Sequence, residues 1–436
     1  MRSDSTDVAL AEIAADQPNA IAAGPFGSNL VSRDYVDSGT PVIRGQNLAG
    51  RWVAGEFVYV SDAKAAQLRS NTACPGDIVF TQRGTLGQVS IVPQGSYPSY
   101  IVSQSQMKMT VDARKADYRF VYYACSAPDF VAQVQNNAVA AGVPHINLGI
   151  LRALRIPLPA LTCQIKAVEV LSALDDRIDL LRQTNATLES IAQALFKSWF
   201  IDFDPVRAKA EGREPDGMDA ATAALFPSEF EESALGAIPK GWQFGSVYEI
   251  AEVIYGAPFA SKHFNADGKG RPLVRIRDLR DEAPGAWTPE VHPKGYMLQP
   301  GDIVVGMDGE FRAYLWGGVP SWMNQRVCCF RPVAPHSVAF VRCSIIRPLA
   351  HIEATEVATT VIHLGKGDID RFKIVIPSAA IAGAFAAVAD PLYARLVANK
   401  AQARALSDIR DTLLPRLISG KLRLPEAHEQ IDEVCA

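Results

Sequence analysis

The chain repeats itself, and whatever its first half folds into, its second half must fold into again. Pro25-Phe26-Gly27-Ser28 is matched by Pro258-Phe259-Ala260-Ser261, and PVIRGQNL, starting at Pro41, by RPLVRIRDL, with Pro272 at the equivalent position. PGDIV (Pro75 to Val79) recurs unchanged from Pro300 to Val304, and RIPLP (Arg155 to Pro159) recurs as KIVIP (Lys373 to Pro377). The offset between copies falls from 233 at the first pair to 218 at the last. Insertions and deletions therefore collect inside the copies, as they do when loops vary on a common scaffold.

From RIPLP onward the offset stays at 218 and the pattern becomes helical. Leu171, Leu174, Ile178, Leu181, Asn185, Leu188, Ala192, Leu195 and Trp199 alternate steps of three and four residues. Ala389, Leu392, Leu396, Asn399, Ala403, Leu406, Arg410, Leu413 and Leu417 fall on the same grid. Such a seam spans about 40 helical residues, roughly 60 Å, and suits a helix pair of matched length. Two tandem modules joined by equal rods close on each other only if the rods run antiparallel, which predicts a pseudo-twofold arrangement. Asn185 and Asn399 interrupt the seams; paired amides would fix register, whereas splayed ones would simply reach solvent.

Short alternating runs such as DIVFTQ, VSIV, DIVVGM and RFKIVIP, separated by Gly and Pro, predict β-rich modules. The expected fold class is α+β: two similar mixed β-rich domains (1–159 and 237–377), separated by a helical spacer and linker (160–236) and a second helical spacer with its tail (378–436). Pro205 is expected to end the first helix near Phe203. The net charge of −4 hides a division. Residues 17–159 carry twelve Lys/Arg against eight Asp/Glu, and residues 234–377 sixteen against fourteen, while the connector 160–233 carries seven against fourteen. Two weakly basic modules can meet phosphates, with modest affinity on their own. No run is expected to span a bilayer, since Ile381 to Ala389 is followed by Asp390 and Pro391. With no signal-like N-terminus, the expected location is the cytoplasm and no membrane partner is expected. The seven scattered cysteines read as small apolar core residues in a reducing compartment.

IPKGW opening a module, PGDIV before a turn, IPLP closing a module, and QIKAVEVLSALDDRIDLLRQTNATLESIAQALFKSWF followed by DFDPVRAK together resemble the specificity subunit of type I restriction–modification systems. The resemblance covers nearly the whole chain in the family's order. It implies two target-recognition domains, each reading one half of a bipartite site on double-stranded DNA, with the helices setting half-site spacing. It further implies that two methyltransferase subunits dock on the helical regions and that restriction (translocase/nuclease) subunits join them. S-adenosylmethionine, ATP and magnesium would then be cofactors of those partners, and this chain would carry none. The first module departs from the pattern by lacking IPKGW, and the second carries Gly306-Met307-Asp308-Gly309 where the first has Thr81-Gln82-Arg83-Gly84.

The residues themselves show no methyltransferase, Walker or metal-binding motif. Pro128-Asp129 lacks the acidic-x-Lys partner of a nuclease, and the seven histidines are dispersed, so a non-catalytic role is expected. Base edges are told apart by bidentate Arg or Lys on guanine and by Asn or Gln on adenine. Candidate readers in the first module are Arg44, Gln46, Asn47, Gln82, Arg83, Ser103, Gln104, Gln106, His145 and Asn147. In the second they are Arg275, Arg277, Asp308, Arg312, Asn324, Gln325, Arg326 and His363. Each could instead serve a local turn. Arg44 and Arg275 occupy matched positions, which suits a shared structural or phosphate role. The helix-pairing candidates are Leu174, Ile178, Leu181, Asn185, Leu188, Leu195, Leu392, Leu396, Asn399, Leu406 and Leu413. A DNA-binding or protein-docking scaffold outside restriction, and an enzyme with a dispersed site, are the alternatives.

Overall fold

The computed structural model describes residues 5–139, 142–233, 236–355 and 362–420. The chain forms two compact units, residues 1–177 with 405–436 and residues 178–404. The division falls inside both long helices, Leu161–Phe200 and Ala379–Ile418, each of 40 residues.

In the first unit, strands Ile21–Ala23, Gln106–Met109, Ile78–Thr81 and Val89–Ile91 form an antiparallel sheet in that order. A second sheet runs Tyr35–Val36, Val58–Val60, Thr40–Ile43, Tyr100–Val102, Thr72–Ala73. Its one parallel pair is Thr40–Ile43 with Tyr100–Val102. Strand Thr6–Ala9 pairs with Arg155–Leu158 and closes the module. The second unit repeats this plan. Ala251–Tyr255, Val327–Pro332, Ile303–Gly306 and Tyr314–Leu315 form the antiparallel sheet. Trp287–Thr288, Arg271–Val274, Ser321–Met323 and Met297–Leu298 form the mixed one, again with a single parallel pair, and Gln243–Ser246 with Lys373–Ile376 closes the module. The fold is α+β, and the sequence repeat is a repeat of strand order. The added edge strand Tyr35–Val36 distinguishes the first copy.

The shared motifs are the joints of this scaffold. In PGDIV, Gly76 and Gly301 adopt φ of +89° and +98°, as the third position of a type II turn after Pro requires. The turn aspartate closes it: Asp77 Oδ2 accepts from the Cys74 amide (2.9 Å) and Asp302 Oδ2 from the Gln299 amide (2.8 Å). The strands that follow, IVFT and IVVG, bury all four residues, which explains their unbroken apolar character. RIPLP and KIVIP are the closing strands.

In the second unit the helix end ALFKSWF enters an aromatic core. Phe200 meets Phe340 and Phe385 edge-on, with ring centroids 5.1 Å apart in both cases, and Trp242 of IPKGW packs on Phe200 and Phe203. The first helix ends at Phe200, ahead of Pro205, which instead sits in the first turn of a separate helix, Asp204–Ala210. Of the pairing candidates, Leu174, Ile178, Leu181, Leu396, Asn399, Leu406 and Leu413 are buried, and Leu188, Leu195 and Leu392 pack partly buried on the core. Asn399 Nδ2 donates to Asn185 Oδ1 (2.8 Å) and Asn185 Nδ2 to the Leu396 carbonyl (3.3 Å), so the amides meet. In the first unit Arg410 pairs with Asp175. Numbers rise along one helix as they fall along the other, the sense of an antiparallel pair.

Two expectations need correction. Asp390 and Pro391 do not interrupt the second long helix, so Ala379–Ile418 is long and apolar enough, with mean hydropathy 1.4 over its best stretch, to cross a membrane by length and composition. Its apolar residues Ile381, Phe385, Ala389, Tyr393 and Leu396 are instead buried in the core of the second unit. Nor are all cysteines core residues. Cys125, Cys328, Cys329 and Cys343 are buried, but Cys74 and Cys163 are exposed, and Cys435 lies outside the described residues.

Candidate nucleic-acid interface

Three runs flagged for their polar side chains come together in each module through backbone hydrogen bonds. In the first, the Gln82 and Arg83 amides donate to the Ser105 carbonyl (2.7 and 3.3 Å), and the Gln82 carbonyl accepts from the Ile146 amide (3.0 Å). In the second, the Met307 amide donates to the Arg326 carbonyl (2.8 Å), and the Met307 carbonyl accepts from the Leu364 amide (2.8 Å). Arg83 bridges His145 and Asp308 bridges His363 in the same antiparallel sense. The frame is thus common to both in its pairing, while the side chains it carries differ. A fourth run is tied in beside it, because the Ser103 and Asn324 amides donate to the Ile43 and Val274 carbonyls, each at 3.0 Å. This packing needs glycine next door. A Cβ on Gly24 or Gly256 would stand 1.9 Å from the Ser103 or Asn324 carbonyl oxygen.

Within this frame the candidates divide by availability. Arg83 is exposed, and its guanidinium has no partner among the described residues. In the second module Asp308 Oδ1 holds His363 Nδ1 at 2.5 Å and lies 3.7 Å from Arg326 Nη1. Arg326 takes φ +69°, a left-handed conformation that costs a non-glycine residue energy and that tends to occur at functional sites. Gln82 and His145 of the first module are half-buried, with His145 Nδ1 3.2 Å from the Val143 carbonyl, and Gln325 and Arg277 of the second are exposed.

The other candidates are committed to the scaffold. Asn47 is 1% exposed; its Oδ1 accepts from the Arg44 amide and its Nδ2 donates to the Ala54 and Glu56 carbonyls. Asp278 performs the same closure for the Arg275 amide (2.9 Å) and also pairs with the Arg275 side chain. The matched arginines therefore begin matched turns, although Arg44 Nε is buried without a partner. Gln46 Nε2 bonds the Glu56 carbonyl, Gln104 Nε2 the Gly27 carbonyl, and Ser103 Oγ the Gln106 side chain. Gln106 is fully buried where the second copy has Val327, and Asn324 is 8% exposed. Asn147 Oδ1 caps helix Leu148–Ala153 through the Ile150 amide, and Arg312 is held by Glu353 (2.7 Å).

Sequence reasoning missed the polar latches that hold each module to the long helices. Asp175, 6% exposed, accepts from Tyr123 Oη and Arg410 Nη1, both at 2.7 Å. In the second unit Arg342 donates to the Ala313 carbonyl (2.7 Å) and Tyr393 Oη (3.2 Å) and pairs with Glu189. Burial, reinforced by the Asp175 charge, holds the Tyr123 phenol well above its ordinary value, and burial does the same to Tyr393. Asp175 and Tyr393 are 218 residues apart, the constant repeat offset, so the repeat itself was the available signal.

Comparison with known proteins agrees with the duplication. The family model described as the type I restriction modification DNA specificity domain matches twice, over residues 32–190 and 239–405. The chain is 26% identical over 339 residues to the type I restriction enzyme HindI specificity subunit of Haemophilus influenzae, covering 64% of this chain and 71% of that one. It is 24% identical over 423 residues to the MjaIX specificity subunit of Methanocaldococcus jannaschii, covering 93% and 92%. A crystal structure of a type I restriction–modification S subunit from M. genitalium shares the fold, with a TM-score of 0.53 at 15% identity, over 95% of this chain and 96% of that one.

Proposed function

The chain belongs to the type I restriction–modification DNA specificity family and is a DNA specificity subunit; from that premise we propose that each module reads one half of a bipartite duplex target. The observation that carries this reading is the double family match falling on two modules with the same strand order and the same loop frame but different exposed side chains. Equal scaffolds place equivalent side chains before two half-sites, and unequal side chains make those half-sites differ. The long helices set the half-site gap and offer docking surfaces to two methyltransferase subunits, which restriction subunits join. Adenine methylation, ATP-driven translocation and cleavage belong to those partners, with their S-adenosylmethionine, ATP and magnesium. The chain itself acts in the cytoplasm and contributes recognition, not catalysis.

Methylome sequencing of a host with and without the gene tests this. One split motif is expected to lose methylation when the gene is removed, and the chain is expected to co-purify with two copies of a methyltransferase. An unchanged methylome with the partner enzyme present would refute it, and a scaffold outside restriction would then be the better description.

A further inference from the structure

The equivalent loop positions Arg83 and Asp308 carry opposite charge on one backbone frame. Each follows its central strand and bridges a histidine, and the residue before each, Gln82 or Met307, donates its amide to the equivalent neighbouring loop at Ser105 or Arg326. A position whose main chain is fixed and whose side chain changes sign is where two half-sites can be told apart at least structural cost. Arg83 presents an unpaired guanidinium whose forked donors match the N7 and O6 acceptors of guanine. Asp308 is the reverse. Its Oδ1 is occupied by His363, at 2.5 Å, while its Oδ2 has no donor among the described residues. Placed against phosphates a carboxylate alone would be repelled, but His363 and Arg326, 3.7 Å from Oδ1, flank it with donors. A carboxylate oxygen so held accepts a hydrogen bond from an exocyclic amino group, and in the major groove cytosine N4 is the amino group this pairing serves.

Resting on the half-site reading above, we propose that Arg83 and Asp308 are the equivalent specificity-determining residues of the two modules. Arg83 reads guanine at one position of the first half-site, and Asp308 reads cytosine at the corresponding position of the second. His363 and Arg326 are positioning residues for Asp308.

The test uses the full chain, assembled with its methyltransferase partner, to select from a duplex library randomised in both half-sites. Arg83→Gln is expected to weaken discrimination for guanine roughly tenfold to a hundredfold at one position of one half-site and to leave the other half-site unchanged. Arg83→Lys keeps the charge but not the fork, so affinity is expected to hold while the guanine preference drops. Asp308→Asn is expected to relax cytosine at one position of the second half-site only. Uniform weakening across all sequences would mean a phosphate contact and would overturn the assignment, as would an unchanged motif. A wild-type complex that selects no split motif defeats the half-site reading and this assignment together. A wild type that selects one which the variants preserve defeats this assignment alone.

Discussion

Replacing Asp175 with Ala should loosen the first unit and leave the second intact. Asp175 accepts two hydrogen bonds of 2.7 Å, from Tyr123 and from Arg410. Each such bond to a charged group contributes about 1.5–3 kcal/mol, and a buried partner left unpaired loses the whole amount. Tyr123 is the buried partner, at 2% exposure, and its hydroxyl proton loses its acceptor although the Arg51 guanidinium stays beside its oxygen. The Arg410 side chain is 27% exposed and keeps Ser407 (3.0 Å) and Asp411 (2.8 Å), so water and these neighbours return part of its loss. The net cost is about 3 kcal/mol, which corresponds to roughly a hundredfold larger locally open fraction. Hydrogen exchange on the full chain reads it directly: peptides within 161–177 and 405–418 should lose protection, and peptides within 251–332 should not. Adding Arg410→Met should restore part of the loss, because the stranded guanidinium is then gone. Equal loss in both units, or a double variant as weak as the sum of the single ones, would refute the latch.

Asn399→Leu should cost the second unit about 1–2 kcal/mol by stranding Asn185, while Asn185→Leu combined with Asn399→Leu should recover it; additive urea midpoints would count against a coupled pair. Gly256→Ala should cost more than about 3 kcal/mol, since its Cβ would meet a backbone oxygen at 1.9 Å, and a wild-type unfolding midpoint would contradict that contact. Burial holds the Asp302 carboxyl above the usual aspartate range. The folded state then binds that proton more tightly than the unfolded chain, so Asp302 contributes stability at low pH that is lost as pH rises through its folded value. Asp302→Asn should flatten this part of the stability–pH curve of the second unit, and an unchanged slope above pH 4 would argue against it.

What was legible in the letters was whatever local chemistry repeats. PGDIV names its own turn, because Pro and Gly can occupy those positions and Asp can close them. The three-four spacing located both helices, and the asparagines on it proved to be partners. The polar runs around Arg83, Ser105 and His145 also converge, although nothing local says that backbone bonds join them. Availability was less visible. Asn47 and Gln106 carry the right groups for reading a base, yet one closes a turn and the other lies in the core, where the copy has Val327. Residue type reports what a side chain can donate or accept, and burial decides whether anything outside can reach it. The latches were hidden for a related reason, since Tyr123, Asp175 and Arg410 meet only through tertiary packing.

The way the units divide both long helices has a consequence for the order of events at the ribosome. Translation delivers the first module early, yet its unit stays unfinished until residues 405–418 emerge, because Arg410 and the leucines around it come from the far end of the chain. The second unit has all of its residues once position 404 is clear of the exit tunnel. The half of the protein made first is therefore the half completed last, and until then Asp175 and Leu174 face the nascent chain's surroundings without their cover.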